Sequence, residues 1–387
     1  MNNVYLDHAA TTPMLPAAVE ALTEQLTNTG NPSSLHASGR HARRVVEESR
    51  ERIAQALNCR PGEVVFTSGG TEADNLALKG IFWSRQRPRI LSTSIEHHAV
   101  LDPLHWLGHD EDAEVTLLPV DELARLDLDA LRAALETEPD DVALVSVMWA
   151  NNEVGTLQPI TDVVELAAAH GIPVHTDAVQ AVGSVPVDFA ASGVDALTLT
   201  GHKVGGPFGV GALVVRRELE VTPLVHGGGQ ERDIRSGTID TPAIAGFAAA
   251  VEATVKGQAD HHVRISALRD ELVAGVRALV PDAILNGDPA NMLPGHAHFR
   301  FPGCEGDSLL MLLDARGIEC STGSACNAGV PQASHVLLAM GCSDAEARGS
   351  LRFSLGHTST QSDVDALLAT IGPVVERARA AGARKAV

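Results

Sequence analysis

The stretch Ala196-Leu197-Thr198-Leu199-Thr200-Gly201-His202-Lys203 alternates apolar and β-branched residues and then breaks at a glycine. That pattern reads as a strand running into a tight turn. It leaves Lys203 at a strand's carboxyl end, where open α/β sheets collect their ligands. Lysine forms Schiff bases with carbonyl compounds, so the position is a candidate for chemistry, although a lone lysine after a strand is ordinarily solvated. The rest of the chain has to decide between those readings.

Outward from this strand the same alternation repeats. Glu63–Phe66, Ile90–Ser92, Val115–Leu118, Val142–Met148, Pro173–Asp177 and Gly211–Val215 read as further strands. Between them, Leu76–Phe82, a segment from His98, Leu126–Leu135 and Thr161–His170 carry helical patterns. Val142–Met148 is almost unbroken apolar sequence, as suits a parallel strand covered on both faces. The rhythm predicts an α/β fold with a largely parallel sheet and helices on both sides. Before it lie a helix at about Pro16–Thr27 and an amphipathic helix over 36–57. In the latter Val45, Val46, Ile53, Ala54 and Leu57 face inward, and Arg40, Arg43, Arg44, Glu47, Glu48 and Arg50 form a solvated face. After the sheet, an alanine-rich helix from Thr241 toward residue 278 leads to a smaller α+β part. That part has strands at His298–Phe301, Gly317–Ser321 and Ser350–Leu355 and a helix at Asp307–Arg316. At 387 residues the chain exceeds what one hydrophobic core usually serves, so two domains are expected.

The strand ends are chemically loaded. Thr67-Ser68-Gly69-Gly70-Thr71 joins a strand to a helix, the geometry that aims free backbone N–H groups at an anion. It is neither a dinucleotide fingerprint nor a Walker loop, so a single monoester phosphate is the natural ligand; a plain βα turn is the bland alternative. Glu96-His97-His98, Asn151-Asn152-Glu153, and Asp177 with Gln180 follow other strands. Each has a structural reading as cap, turn former or packed histidine. Together they converge on one crevice. The glycine-rich segment His226–Thr238 is either an ordered functional loop or a long surface loop.

Composition narrows the rest. Hydrophobic residues make up 44% and charged residues 20%, ordinary for a globular protein. The net charge of −20 argues against direct nucleic-acid binding and against an anionic membrane surface. No apolar run reaches a membrane span, and Met1–Asp7 lacks the features of a signal peptide, so a cytoplasmic protein is expected. Five cysteines, an odd number, point to free thiols rather than a disulfide framework. His296 and His298 share one face of a strand, but no CxxC pair accompanies them and no intrinsic metal site is expected.

Seven segments in order carry a resemblance: Glu63–Gly80 (EVVFTSGGTEADNLALKG), Ile95–Leu101 (IEHHAVL), Ala150–Thr156 (ANNEVGT), His175–Ala181 (HTDAVQA), Gly201–Gly206 (GHKVGG), Gly323–Cys326 (GSAC) and Arg352–Gly356 (RFSLG). From about Tyr5 to Gly356 the chain resembles the NifS/IscS-type cysteine desulfurases, pyridoxal-phosphate enzymes of aminotransferase class V and fold type I. The resemblance implies a large domain at 15–255 with a mainly parallel seven-stranded sheet. It also implies a small α+β domain, from 1–14 and 256–387, carrying a cysteine loop. Lys203 would hold pyridoxal 5'-phosphate, Asp177 would pair with its pyridine nitrogen, and Gln180 would bond its phenolic oxygen. His97 would stack on the ring as a general acid/base. Gly70, Thr71, Thr200 and His202 would bind the phosphate, with Thr238 reaching the phosphate of the other subunit of a homodimer. Asn152 and Arg352 would take the substrate carboxylate, and Cys326 would be the nucleophile that receives sulfur from L-cysteine as a persulfide. The implied acceptor is an iron–sulfur scaffold protein or a tRNA-thiolation enzyme, with Cys326 a transient iron–sulfur ligand through that persulfide. Thr200 stands where the family usually has serine and keeps the hydroxyl. Alternatives are a selenocysteine lyase or another class V enzyme and, outside catalysis, a docking platform.

Overall fold

A computed structural model describes residues 3–323 and 333–385. Along the chain, β1 (Val4–Tyr5) precedes α1 (Pro16–Leu26) and α2 (Ala37–Leu57). Strands and helices then alternate: β2 (Val64–Thr67), α3 (Gly70–Arg85), β3 (Arg89–Thr93), α4 (His98–Asp110), β4 (Glu114–Leu118), α5 (Leu128–Glu136), β5 (Val142–Ser146), α6 (Ile160–Ala168), β6 (Val174–Asp177), α7 (Phe189–Ser192), β7 (Ala196–Thr200) and β8 (Gly211–Val215). The C-terminal part contains α8 (Thr241–Lys256), α9 (Gln258–Leu279), β9 (Ile284–Asn286), β10 (His296–Arg300), α10 (Gly306–Asp314), β11 (Ile318–Glu319), α11 (His335–Ala339), α12 (Asp344–Arg348), β12 (Ser350–Ser354) and α13 (Gln361–Lys385).

The central sheet has seven strands in the order β2-β8-β7-β6-β5-β3-β4. Its neighbours are parallel except around β8, which runs antiparallel to both β2 and β7. The expected mainly parallel α/β fold is therefore present, and the connection from Lys203 to β8 is a short return. Every residue of β5, β7 and β8 is buried, whereas the edge strand β4 is partly exposed. This accounts for the unbroken apolar run of β5 and the mixed sequence of β4.

A second hydrophobic cluster joins Leu6 with Phe299, Phe301, Leu351, Phe353 and Ile371. The three-stranded antiparallel sheet β12-β10-β9 and the parallel pair β1-β11 belong with it. Strand β9 has only three residues and is not visible in the sequence pattern. The helix expected over 241–278 is two helices, separated at Gly257.

One expectation for α2 is overturned. Arg50 lies not on a solvated face but in the interior, with its side chain 10% exposed. It sits four residues after Val46 and three before Ile53, hence on the apolar stripe. Its guanidinium donates to Glu231 through Nη1 (2.8 Å) and Nη2 (2.7 Å) and lies 4.7 Å over the Phe66 ring. Glu231 Oε2 also accepts from Phe66 N at 2.8 Å. The pairing ties the glycine-rich loop to β2 and removes the cost of a lone buried charge.

Candidate active site

Polar residues converge where β2, β3, β5, β6 and β7 end. Strand β7 ends at Thr200, and the 3-10 turn Gly201–Lys203 follows. A Cβ on Gly201 would stand 2.5 Å from the Pro207 carbonyl oxygen, so only glycine lets the chain turn here. The turn half-buries Lys203, whose Nζ donates to the carbonyls of Ala9 and Ala10. Burial first, and then the nearby Arg352 charge, lower the ammonium pKa to about 8; Asp7 and Asp177 oppose this. A lysine so placed supplies free amine near neutral pH.

Strand β6 delivers Asp177 beside it. The carboxyl is buried, and Oδ1 accepts from Val179 N at 2.9 Å, so the cap reading is also satisfied. Burial raises its pKa to about 6, opposed by that hydrogen bond and by Lys203. Gln180 Nε2 donates to the Ala9 carbonyl at 2.9 Å. The residue 9–10 backbone thus receives both Lys203 and Gln180, a role for the N-terminal segment that its sequence alone did not indicate.

His97 is the N-cap of α4, and its Nδ1 accepts from Ala99 N at 3.0 Å. Burial, then the Lys203 charge, lowers the imidazole pKa to about 4, so the ring is neutral. With Nδ1 accepting, the proton resides on Nε2. Asn151 follows its bland reading: Oδ1 accepts from Glu153 N and Val154 N, and Nδ2 donates to Ile95 O. That turn presents Asn152 to the crevice. Strand β12 contributes Arg352, which donates through Nη1 to Asn152 O and through Nη2 to Asp7 Oδ1, both at 2.8 Å. Its Nε is buried without a partner.

The β2–α3 turn forms the anion end. Gly69 has φ +155° and ψ −178°, open essentially to glycine alone, and α3 begins at the next residue. A Cβ on Gly211 would lie 2.8 Å from the Gly69 backbone, so β8 passes directly beneath the turn. Glu72, in the first turn, is neutralised by Arg235 at 2.7 Å, which leaves the helix end free for an anion.

Gly70, Thr71, His97, Asn152, Asp177, Gln180, Thr200, His202, Lys203 and Arg352 all line this one cavity. Thr238 does not: it lines a separate recess with Arg43, Arg50 and Glu231. Cys326 lies outside the described residues, whereas Gly323 and His335 line the cavity. Sequence reasoning passed over Asp7, Asp74 and His335; nothing local to those residues reveals the partners they meet. The donor set suits pyridoxal phosphate: a depressed-pKa amine, a buried acid, hydroxyls at a helix N-terminus and an arginine with an unspent N–H.

The remaining candidates are structural. His296 and His298 lie buried on β10, with pKa values near 3 because of burial and then Arg352. Among the described residues no group of three or more His, Cys, Asp or Glu side chains is placed to hold a metal. Cys59, Cys304, Cys320 and Cys342 are free, and burial pushes the Cys59 and Cys320 thiols up to about 12. No helix among the described residues is long and apolar enough to cross a membrane.

Comparison with known proteins places this geometry. The aminotransferase class-V family model matches residues 4–367. An IscS-like cysteine desulfurase of Mycobacterium tuberculosis is 58% identical over 383 residues, 97% of each chain. A solved NifS-like protein superposes with a TM-score of 0.90 at 35% identity, covering 97% of this chain and all of that one. A structure described as SspA in complex with cysteine gives a TM-score of 0.78 at 33% identity over 91% of this chain and 98% of that one.

Proposed function

This chain belongs to the aminotransferase class-V family, and from that premise we propose that it is a pyridoxal-phosphate-dependent cysteine desulfurase. It takes sulfur from L-cysteine, releases L-alanine and carries the sulfur as a persulfide on Cys326. What supports the reading is the convergence of Lys203, Asp177, His97 and Arg352 on the anion-binding turn of α3, in a chain 58% identical to an IscS-like desulfurase.

Pyridoxal phosphate, bound through Lys203, supplies an electron sink for charge developing at the substrate α-carbon. The chain's own residues do the rest. Lys203 Nζ, released from the Ala9 and Ala10 carbonyls, is the amine that holds the cofactor and moves the α-proton. Asp177 keeps a proton on the pyridine nitrogen; Gln180 positions the phenolic oxygen. His97 would stack on the ring, with its Nε2–H available as an acid. Gly70, Thr71, Thr200 and His202 would hold the phosphate, and Thr238 would reach the phosphate of the other subunit of a homodimer. Arg352, held by Asp7 and the Asn152 carbonyl at the cavity wall, would take the substrate carboxylate, beside Asn152.

The proposed division places the cofactor in residues 15–255, with 1–14 and 256–387 forming the small domain that carries Cys326. The separate hydrophobic cluster around Phe299 and Phe353, which includes Leu6, supports it. We place the enzyme in the reducing cytoplasm, in keeping with four described cysteines that are all free. An iron–sulfur scaffold or another persulfide acceptor is the proposed recipient. The test is mass spectrometry after exposure to L-cysteine alone: one extra sulfur on Cys326 is expected. A Cys326→Ala protein that still releases alanine and sulfide at the full rate overturns the assignment.

A further inference from the structure

Behind Asp177 lies a second acid that the reaction scheme does not use. Asp74, on α3, is 1% exposed and lines the same cavity as Lys203 and Asp177. Its Oδ1 has no hydrogen-bond partner. The nearest basic group is His175, whose Nε2 stands 3.6 Å away. That imidazole is already satisfied in its neutral form, with Nδ1 at 2.9 Å from Ser146 Oγ and Nε2 at 3.1 Å from Thr198 Oγ1. One proton order suits both imidazole contacts, with Ser146 donating to Nδ1 and Nε2–H donating to Thr198, and it leaves the Thr198 hydroxyl proton as the one group nearby that favours a charged Asp74.

Among the described residues no other cation compensates the carboxyl. The remaining titratable groups that face it are acids, Asp177 at the end of β6 and Glu96 after β3. On α3 itself, Glu72 is paired with Arg235, and Lys79 lies over the Trp106 ring. His97 at the start of α4 is neutral, and β2, β5, β7 and β8 carry no charged side chain. The two cations of the cavity are engaged elsewhere, Lys203 with the Ala9 and Ala10 carbonyls and Arg352 with Asp7 and Asn152. A buried carboxyl without a counter-ion takes up a proton rather than bear the cost of a lone charge. Burial first, and then the Asp177 charge, push the Asp74 pKa well above its ordinary value against the opposing Thr198 hydrogen bond, and His175 is held down near 3.

We propose that Asp74 is kept as a neutral carboxylic acid in the wall of the cofactor cavity, a positioning residue that would leave Asp177 as the sole negative charge facing the pyridine nitrogen. The inference rests on the reading of Asp177 as the pyridine partner. Its consequence reaches the phosphate as well, because Gly70 and Thr71 begin the helix that bears Asp74. Ionising Asp74 would set a second negative charge beside Asp177, in the cavity that Gly70 and Thr71 also line and where the phosphate would be held. Asp74 is thus an alkaline limit on cofactor retention.

Holoenzyme labelled with 13C only at aspartate carboxyls, and therefore not at Glu96, tests this by infrared spectroscopy at pH 7. A protonated-carboxyl band that moves with the label and disappears in Asp74→Asn is expected. The dissociation constant of pyridoxal phosphate, read by absorbance, should rise more than tenfold in the wild type as Asp74 ionises. In Asp74→Asn, which mimics the neutral acid, that rise should be absent. Absence of a label-sensitive protonated band in wild-type holoenzyme overturns the proposal without any variant, as does a shared alkaline profile. The nitrogen-15 shift of ring-labelled cofactor separates the two readings. A shift left unmoved by Asp177→Asn refutes the pyridine pairing, whereas the Asp74 band reports only on Asp74.

Discussion

Replacing Glu231 by alanine should destabilise the protein far more than a loop substitution ordinarily does. Glu231 accepts two charge-assisted bonds from Arg50 and one from the Phe66 amide, and the two side chains are 10% and 3% exposed. Alanine leaves a buried guanidinium and a buried N–H without their acceptor, a loss of about 3–5 kcal/mol by comparison with other broken buried pairs. Arg50 keeps the Val64 carbonyl, the Phe66 ring and the half-exposed Glu47 carboxylate at 3.3 Å, which places the expectation at the lower end. The assay is urea unfolding at one fixed protein concentration, since assembly would add to apparent stability. Glu231→Ala combined with Arg50→Met should recover most of the loss, because the double variant strands no charge. The single variant should also loosen the loop bearing Thr238 and weaken cofactor retention. A loss under 1 kcal/mol for Glu231→Ala, or a double variant no more stable than the single, refutes the account of Arg50 as a charge that needs its partner.

Three further outcomes are expected. Asp7→Asn removes the charged partner of Arg352 and should lower kcat/KM for L-cysteine about tenfold, the weight of one charge-assisted bond, while the cofactor absorbance stays unchanged; an unaltered kcat/KM counts against the positioning role. Reconstitution of apoprotein with pyridoxal phosphate needs unprotonated Lys203, so its rate should climb with pH to about 8 and then level off; a stopped-flow rate still rising at pH 10 contradicts the depressed amine. His175, His296 and His298 are folded with pKa values near 3, below the unfolded value of about 6.5, so the unfolded chain binds more protons between those limits. Their contribution is therefore complete above about pH 6.5 and declines as pH falls toward 3, by about 1.4 kcal/mol per unit for each histidine; urea midpoints that stay flat from pH 6.5 to 4.5 would falsify it.

How far the sequence reached can be argued from particular residues. Lys203, Asp177, His97 and the Gly69–Thr71 turn were legible because each depends on a strand and the few residues after it. Parallel strands bring their carboxyl ends to one edge, so reading the strands was enough to gather the cavity. Arg50 was misread because its charge suggests a solvated face while its helix position lies on the apolar stripe, and the partner that makes burial tolerable is 181 residues away. Asp7 and Arg352, 345 residues apart, show the same limit.

By itself, then, the sequence determined the βα rhythm, the buried central strands and the strand-end chemistry. All of these follow from periodicity and turn residues within a span of about ten positions. Tertiary structure alone decided that β8 runs antiparallel and that the residue 9–10 carbonyls hold Lys203 and Gln180. It also decided that Glu231 neutralises Arg50 and that Asp74 faces two acids and, among the described residues, no cation. Those outcomes turn on which distant groups share a low-dielectric interior. Burial multiplies the value of a partner and the cost of its absence, and no local pattern records either.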